Sequence, residues 1–347
     1  MGRHHARIYS QLASCRLVGV IDLDLKRAAS MAKEFGCTPY ASTNALLKDH
    51  PSLAAVSVAV PTQDHRQVAQ LLLERRIACL IEKPLAPTIA EAAELADLAH
   101  HYRALLQVGH TERFNPAVRA VTALGLPVRF LEANRISPIT FRSLDVGVVM
   151  DLMIHDLDIV LLLAGPRIRS IHATGASVLG EHEDVANARI EFESGCVANL
   201  TASRLAPKTQ RTLRLFSENA YVRLDYQKRR GVIIRRSNQN IEALERIRTM
   251  IAEGSDQNEI DYGSLVQSMV KSEPLLMDED ANRTDPLTGQ LTSFLNAVRH
   301  DKPPEVDATA GFEAVRVAEQ VVTAIKQHQW EGLDNCRIET ESRLTTS

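Results

Sequence analysis

Hydrophobic and polar positions alternate in two different rhythms along this chain. Up to about residue 109, short apolar runs are separated by segments of helical spacing. Leu17–Asp22 (LVGVID) is a strand-like run that ends in a carboxylate. Leu25–Phe35 follows with helical spacing and stops at Gly36, a natural C-terminal cap. Ala54–Val60 (AAVSVAV) reads as a buried strand ended by Pro61, and His65–Arg75 as a helix. Ala78–Ile81 is a short strand running into Glu82-Lys83-Pro84. Glu91–His101 is an amphipathic helix and Leu105–Val108 a strand again. Strands alternating with helices at this spacing predict a parallel sheet covered on both faces.

From Pro127 the rhythm changes to period two. Strands are predicted at Val128–Ile136, Arg169–Val178, Val185–Phe192, Cys196–Arg204, Arg211–Phe216, Tyr221–Tyr226 and Val232–Arg235. Several alternate apolar and polar residues, as half-buried antiparallel strands do. Gly147–Leu163 is a helix ended by Gly165-Pro166, and Ile241–Glu253 reads as another. Glu273–Asp285 reads as an acidic loop, Thr288–Arg299 and Gly311–Gln327 as helices, and the segment from Gly332 as a polar tail. The expected fold is therefore an α/β Rossmann unit over residues 1–109, with its first strand absent. An α+β unit with an open, mostly antiparallel sheet follows over 110–330, and a tail over 331–347.

Composition narrows the function classes. A chain of 347 residues is long for one core and suggests two domains. The net charge of −3 provides no global field for nucleic acid or anionic lipid. Local basic clusters, Lys228-Arg229-Arg230 and Arg235-Arg236, read as solvated strand ends and turns. The five cysteines are scattered with no Cys-x-x-Cys pair, which argues against a disulfide framework or a zinc site and for a cytoplasmic protein. No apolar run reaches membrane-spanning length, and no metal site is expected.

The N-terminus is unusual. A dinucleotide-binding unit runs strand, Gly-x-Gly-x-x-Gly turn, helix, then a second strand ending in a carboxylate about 20 residues on. Here Gly2 and Arg3 open a helix-like stretch to Leu12, and Asp22 sits at the right distance to receive ribose hydroxyls. The first strand and the first two glycines are missing. The expectation is that they lie upstream of Met1 and that the chain as it stands binds NAD poorly. The rival is a degenerate relative that no longer holds the cofactor. Taken alone, Gly2 is a start-site glycine and Asp22 a turn aspartate. Asp22 favours NAD, while nearby Lys26 and Arg27 leave NADP open.

Three motifs in order carry a resemblance. Pro61-Thr62-x-x-His65 follows one strand, Glu82-Lys83-Pro84 follows the next about 20 residues later, and MDLMIHDLDIV places Asp151 and His155 four residues apart. Singly, a Lys-Pro after a strand is usually a surface turn and an Asp-x-x-x-His pair a surface pair. Together they resemble the glucose–fructose oxidoreductase / inositol dehydrogenase / MocA (Gfo/Idh/MocA) family, over nearly the whole chain. The resemblance implies hydride transfer between NAD(P) and a carbinol carbon of a sugar or cyclitol, in a homodimer or homotetramer built through the C-terminal sheet. It implies Lys83, Asp151 and His155 as catalytic, and Pro61, Thr62, His65, Glu82 and Pro84 around the nicotinamide.

The chemistry of these residue types agrees. Alcohol oxidation needs a base for the hydroxyl proton as hydride leaves. Lys83 stands at the carboxyl end of a strand, where open α/β sheets bind ligands; its ammonium would lower the pKa of the substrate hydroxyl, or, if desolvated, Lys83 could take the proton itself. His155 can accept a proton near neutral pH, with Asp151 orienting it or binding a neighbouring hydroxyl. Asp156 and Asp158 read as solvated or capping.

Arg113 and Asn115 in GHTERFNP, with Arg135 and Arg142 further on, read as substrate residues and suggest an anionic handle. Their alternative is surface ion pairs, or a fixed interdomain turn. The combination looks like the branch that oxidises nucleotide-linked amino sugars, such as UDP-N-acetylglucosamine at C3. Two other readings stay open: an inositol or free-sugar dehydrogenase of the same family, and a non-catalytic sugar- or partner-binding relative.

Overall fold

The computed structural model describes residues 1–139, 146–236, 245, 248–249, 270–277 and 284–328. Arg142, nearly all of the helix expected at 241–253 and the tail from Gly332 lie outside the described residues.

The first half is a Rossmann unit. It runs α1 (Gly2–Gln11), β1 (Gly19–Ile21), α2 (Leu25–Phe35), β2 (Thr38–Tyr40), α3 (Thr43–Asp49), β3 (Ala55–Val58), α4 (His65–Glu74), β4 (Ala78–Glu82), α5 (Ile89–Tyr102) and β5 (Leu106–Gly109). Local chemistry sets these boundaries. The Asp24 carboxylate accepts from the Lys26 and Arg27 amides at the start of α2, and Gly36 ends it at φ 68°. All the strand pairs of this unit are parallel. The sheet is broken in two, however: β1 pairs with β2 and β3-β4-β5 form a second ladder, with no ladder joining β1 to β3 among the described residues. The break falls where a first Rossmann strand would lie in the order 3-2-1-4-5-6.

The second half begins with α6 (Pro116–Ala123), capped by the Asn115 side chain with Pro116 in the first turn. Next come β6 (Val128–Ile136), a wide π-turn over Val149–Met153 and the helix α7 (Ile154–Ala164). The strands β7 (Ile168–Ala176), β8 (Val185–Phe192), β9 (Val197–Ser203), β10 (Gln210–Ser217), β11 (Ala220–Asp225), β12 (Arg230–Arg236) and β13 (Val270–Pro274) complete an eight-stranded sheet. Its order is β13-β12-β11-β10-β6-β9-β8-β7, and only the β6–β9 pair is parallel. The last helices are α8 (Pro286–His300) and α9 (Ala308–Gln327).

Four elements were not predicted from the sequence, β13 (Val270–Pro274) among them. The others are β2 with α3, and α6, whose Asn-Pro start is a capping signal in plain view. The loop expected from Glu273 is corrected at its start: Glu273 and Pro274 pair with Ile233 and Val232 as the end of β13.

Alternation along the sheet sets what faces the helices. In β6, Leu131, Ala133 and Arg135 are buried while Phe130, Glu132 and Asn134 are half-buried on the other face. One face packs against α6, α7 and α9, and the other is covered by no described helix. The chain then returns to the first unit. Gly311 in α9 comes so close to β5 that a Cβ there would meet Val108 Cγ2 at 2.5 Å. A side chain at 311 would push the helix off the strand. The main core is therefore continuous from Val58 to Val321. A second, smaller core lies on the far side of β4, where Ala78 and Leu80 meet Ile8 of α1 and Leu291 and Phe294 of α8.

Candidate active site

The carboxyl ends of β1, β3 and β4 carry Asp22, Pro61-Thr62 and Lys83 respectively, on the side of the sheet where open α/β folds bind ligands. Helix α1 starts at Gly2 with no side-chain cap, and a Cβ at Gly2 would lie 3.8 Å from Ala59 Cβ, just past β3. An uncapped helix N-terminus beside a strand tip, with a carboxylate at the next tip, fits a dinucleotide's phosphate and ribose. Asp22 is 27% exposed and its Oδ2 lies 3.4 Å from Nη1 of the exposed Arg27. Arg3 points away from that environment to Glu34, 2.8 Å distant and exposed. Pro61 is exposed and Thr62 half-buried at the start of a single 3₁₀ turn.

Alternation in β4 decides the two residues at its tip. Cys79 and Ile81 face the main core, Ala78 and Leu80 the smaller one. Glu82 continues the second set. It is 6% exposed, its Oε1 3.1 Å from His5 Nε2 of α1 (off hydrogen-bond direction) and 3.4 Å from Gln290 Nε2 of α8. Gln290 also accepts from Thr111 and, through its backbone carbonyl, from Gln107. Glu82 therefore braces the strand tip from beneath.

His65 does the same from α4. It is 1% exposed, with Nδ1 3.1 Å from Pro84 O and 3.2 Å from Leu85 O, and Nε2 3.1 Å from Val60 O. Burial pushes its pKa down, against the pull of those carbonyls. These two residues, expected around the nicotinamide, hold the turn on which Lys83 sits. The Lys83–Pro84 peptide is cis.

Lys83 extends to the opposite side of the sheet. Its Nζ donates to the Asp151 backbone carbonyl at 2.7 Å and to Oδ1 at 3.2 Å. This contact joins the two halves of the molecule. Asp151 stands in the wide turn ahead of α7, a geometry frequent at functional sites. The Val148 and Val149 amides that open this segment donate to the Glu183 carbonyl and to Glu183 Oε1 at 3.0 and 3.1 Å. Gly147 leaves room for that carboxylate, since a Cβ there would sit 2.0 Å from Glu183 Oε1.

His155 lies one turn beyond Asp151. Burial lowers its pKa well below the ordinary imidazole value, and the charges of Lys83 and Arg135 add to the effect. It is a neutral ring at physiological pH. Nδ1 is buried with no hydrogen-bond partner among the described residues, and the residue as a whole is half-buried. Among the described residues Asp151 makes no hydrogen bond to this ring; its Oδ1 accepts from Lys83.

Behind the site lies a layer of charge. Arg113 donates to both carboxylate oxygens of Asp158, at 2.6 to 3.1 Å. Arg135 donates to both oxygens of Asp156, at 2.7 and 3.0 Å, and to Glu112 at 3.0 Å. Arg135 is 2% exposed, Asp156 2% and Asp158 1%. Burial opposes the charge on Arg135, but Asp156 and Glu112 outweigh it and raise its pKa.

This corrects two expectations. Asp156 and Asp158 are buried and not solvated, and Arg135, itself buried, donates from all three nitrogens to Asp156 and Glu112. Arg113 is held in the same way by Asp158. Asn115 caps α6 and donates to the Tyr226 carbonyl at 3.1 Å, so it fixes the interdomain turn. His110, also in this layer, is 1% exposed with neither ring nitrogen partnered, and burial lowers its pKa. No cluster of metal ligands occurs among the described residues, and no described helix is long and apolar enough to cross a membrane.

Comparison with known proteins extends the geometry. Residues 1–110 match the oxidoreductase family with NAD-binding Rossmann fold, and residues 128–223 match the GFO/IDH/MocA C-terminal domain. The chain is 32% identical over 329 residues to UDP-N-acetylglucosamine 3-dehydrogenase of Acidithiobacillus ferrooxidans, covering 94% of each chain. A solved structure of that enzyme superposes with a TM-score of 0.80 at 32% identity, over 94% of this chain and 95% of that one. The scyllo-inositol 2-dehydrogenase (NAD(+)) of Bacillus subtilis is 28% identical over 223 residues, 60% of this chain and 65% of that protein. The split Rossmann sheet, the Lys83–Asp151–His155 grouping at its strand tips and the large open sheet thus belong together: the chain is a member of the Gfo/Idh/MocA family of NAD-dependent oxidoreductases.

Proposed function

We propose that this protein oxidises a hydroxyl of a nucleotide-linked amino sugar, the 3-hydroxyl of UDP-N-acetylglucosamine first among them, with NAD as acceptor. The observation that carries the reading is Lys83 of one half reaching Asp151 of the other, with a neutral, half-buried His155 beside them. The 32% likeness to a UDP-N-acetylglucosamine 3-dehydrogenase supplies the substrate. Bound NAD would supply the acceptor for the hydride that leaves the carbinol carbon.

The chain's residues supply the rest. His155 Nε2 takes the hydroxyl proton as the C–O bond becomes C=O. The Lys83 ammonium stands by to stabilise negative charge developing on that oxygen, and Asp151 holds the ammonium in place. Lys83 also keeps His155 unprotonated and therefore ready to accept. The Asp22 carboxylate favours NAD through its affinity for ribose hydroxyls. A second copy of the chain packing on the open sheet face, where Phe130, Phe216 and Tyr221 stack beside Arg214, completes the proposal.

A substrate panel tests it: UDP-N-acetylglucosamine, UDP-glucose, free N-acetylglucosamine and myo-inositol, each with saturating NAD or NADP, followed by cofactor absorbance. The reading expects UDP-N-acetylglucosamine with NAD to give the highest kcat/KM. Faster turnover of inositol or of the free sugar would replace it with the cyclitol or free-sugar reading.

A further inference from the structure

We propose that Arg211 grips the anionic phosphoester part of the substrate, which makes it the residue that selects sugar phosphates over neutral sugars. The inference rests on the nucleotide-sugar reading above. Arg113, Arg135 and Arg204 are all committed to buried carboxylates, Asp158, Asp156 and Asp184 respectively. Arg211 is not. It is the register partner of Arg135 across the antiparallel β10–β6 pair, so the two side chains leave the sheet on the same face. Arg135 shows which face that is: it meets Asp156 on α7, the residue after His155. Arg211 thus stands at the end of the helix-covered face, beside the reaction centre, and its charge is felt by His155.

Among the described residues its bonding is incomplete. The carboxylate within reach is Glu112, whose Oε1 is 4.0 Å away and already accepts from Arg135 at 3.0 Å. Arg211 Nε is buried without a hydrogen-bond partner, while the side chain as a whole is 42% exposed. A guanidinium with a sealed, unfilled Nε–H and an open fork offers the planar pair of donors that two phosphate oxygens accept. A neutral hexose has no group of that charge and geometry to offer.

Titration calorimetry on the full chain tests this, with UDP-N-acetylglucosamine and free N-acetylglucosamine as probes. The variants are Arg211→Met and Arg211→Lys, with thermal melting as a check on folding. Loss of a charge-assisted contact should weaken binding of the UDP-sugar about ten- to hundredfold in Arg211→Met. Free N-acetylglucosamine should bind both variants as it binds the wild type. Arg211→Lys keeps the charge without the fork and should fall between; it carries the test if Arg211→Met does not fold. UDP-sugar affinity within twofold of wild type in the folded variants overturns the proposal and leaves the substrate reading standing. A parallel loss for both probes assigns Arg211 a structural role and also overturns it. Wild-type protein that binds the free sugar and not the UDP-sugar removes the substrate reading and this inference together.

Discussion

Two groups of charged residues meet between the halves of this molecule, and they are built on opposite principles. In the layer formed by Arg113–Asp158 and Arg135–Asp156–Glu112, donors are matched to acceptors and almost nothing is exposed. A short distance away, Lys83, Asp151 and His155 are partly open, and His155 has no hydrogen-bond partner at either ring nitrogen among the described residues. The matched layer cannot give up a bond without leaving a buried charge alone. The open group can take on a substrate at His155 without breaking a hydrogen bond there. Residue type does not distinguish the two, since both are basic groups beside carboxylates. Unspent bonding capacity does.

The comparison predicts different failures. Lys83→Ala and His155→Ala should each lower kcat/KM by about 10²–10⁴-fold. Melting temperatures should stay near the wild-type value, because neither side chain is a keystone of the packing. Near-normal turnover would remove these residues from the reaction. Arg135→Met should do the reverse. It leaves Asp156 and Glu112 buried without a counter-charge and should cost about 3–5 kcal/mol of stability, read from the urea midpoint. Adding Asp156→Leu should return much of that loss. A single variant as stable as wild type would mean that the layer is wetter than its burial implies.

How much of this was legible beforehand follows the range of the interactions. Gly36 as a cap, the strand-helix alternation and the Glu82-Lys83-Pro84 turn are local, and short stretches of sequence carry them. The opposite fates of Glu82 and Lys83 were also within reach. Alternation along Ala78–Glu82 puts Glu82 with Ala78 and Leu80, toward α1 and α8, and Lys83 on the other side. Arg135 and Asp156 are 21 residues apart in the chain, and Arg113 and Asp158 are 45 apart. Those pairings exist only once β6 and the turn before α6 meet α7. Without that, HDLD reads as a solvated surface and the arginines as free. Arg211 was passed over for the same reason: its place beside the site comes from its register with Arg135.

Proton uptake gives a smaller effect that falls on both groups. Burial lowers the pKa of His65, His110 and His155 below the ordinary value. In the unfolded chain each imidazole returns to about 6.5. Between the folded and unfolded values, the unfolded state binds more protons, so stability rises with pH there. The contribution is fully present above about pH 6.5 and is lost as pH falls below it, at up to about 1.4 kcal/mol per pH unit for each ring. Melting temperature should therefore drop steadily from pH 7 to pH 5. Activity should behave differently, because the lowered value keeps His155 unprotonated: the acid limb of kcat/KM should lie well below pH 6.5. An acid limb at the ordinary histidine value would mean that the base is some other, solvated group.

The smallest expected effect isolates burial as the variable. Arg119 of α6 donates to both oxygens of Glu305 from Nη2 alone, at 2.8 and 3.1 Å, whereas Arg113 meets Asp158 through both Nε and Nη2. The side chains of Arg119 and Glu305 are 44% and 52% exposed, against 14% and 1% for Arg113 and Asp158. In water each charge recovers most of its solvation when the other is removed, and salt screens what remains. Arg119→Ala should therefore cost no more than about 1 kcal/mol, and less at high ionic strength. Its guanidinium also lies 5.1 Å from the centre of the Phe114 ring, a contact that does not depend on Glu305. Glu305→Gln keeps that stacking and removes only the ion pair, so it should cost less than Arg119→Ala. If Glu305→Gln instead destabilised the protein as much as Arg135→Met, burial would not set the strength of these pairs. The contrast between the matched layer and the open group would then need another cause.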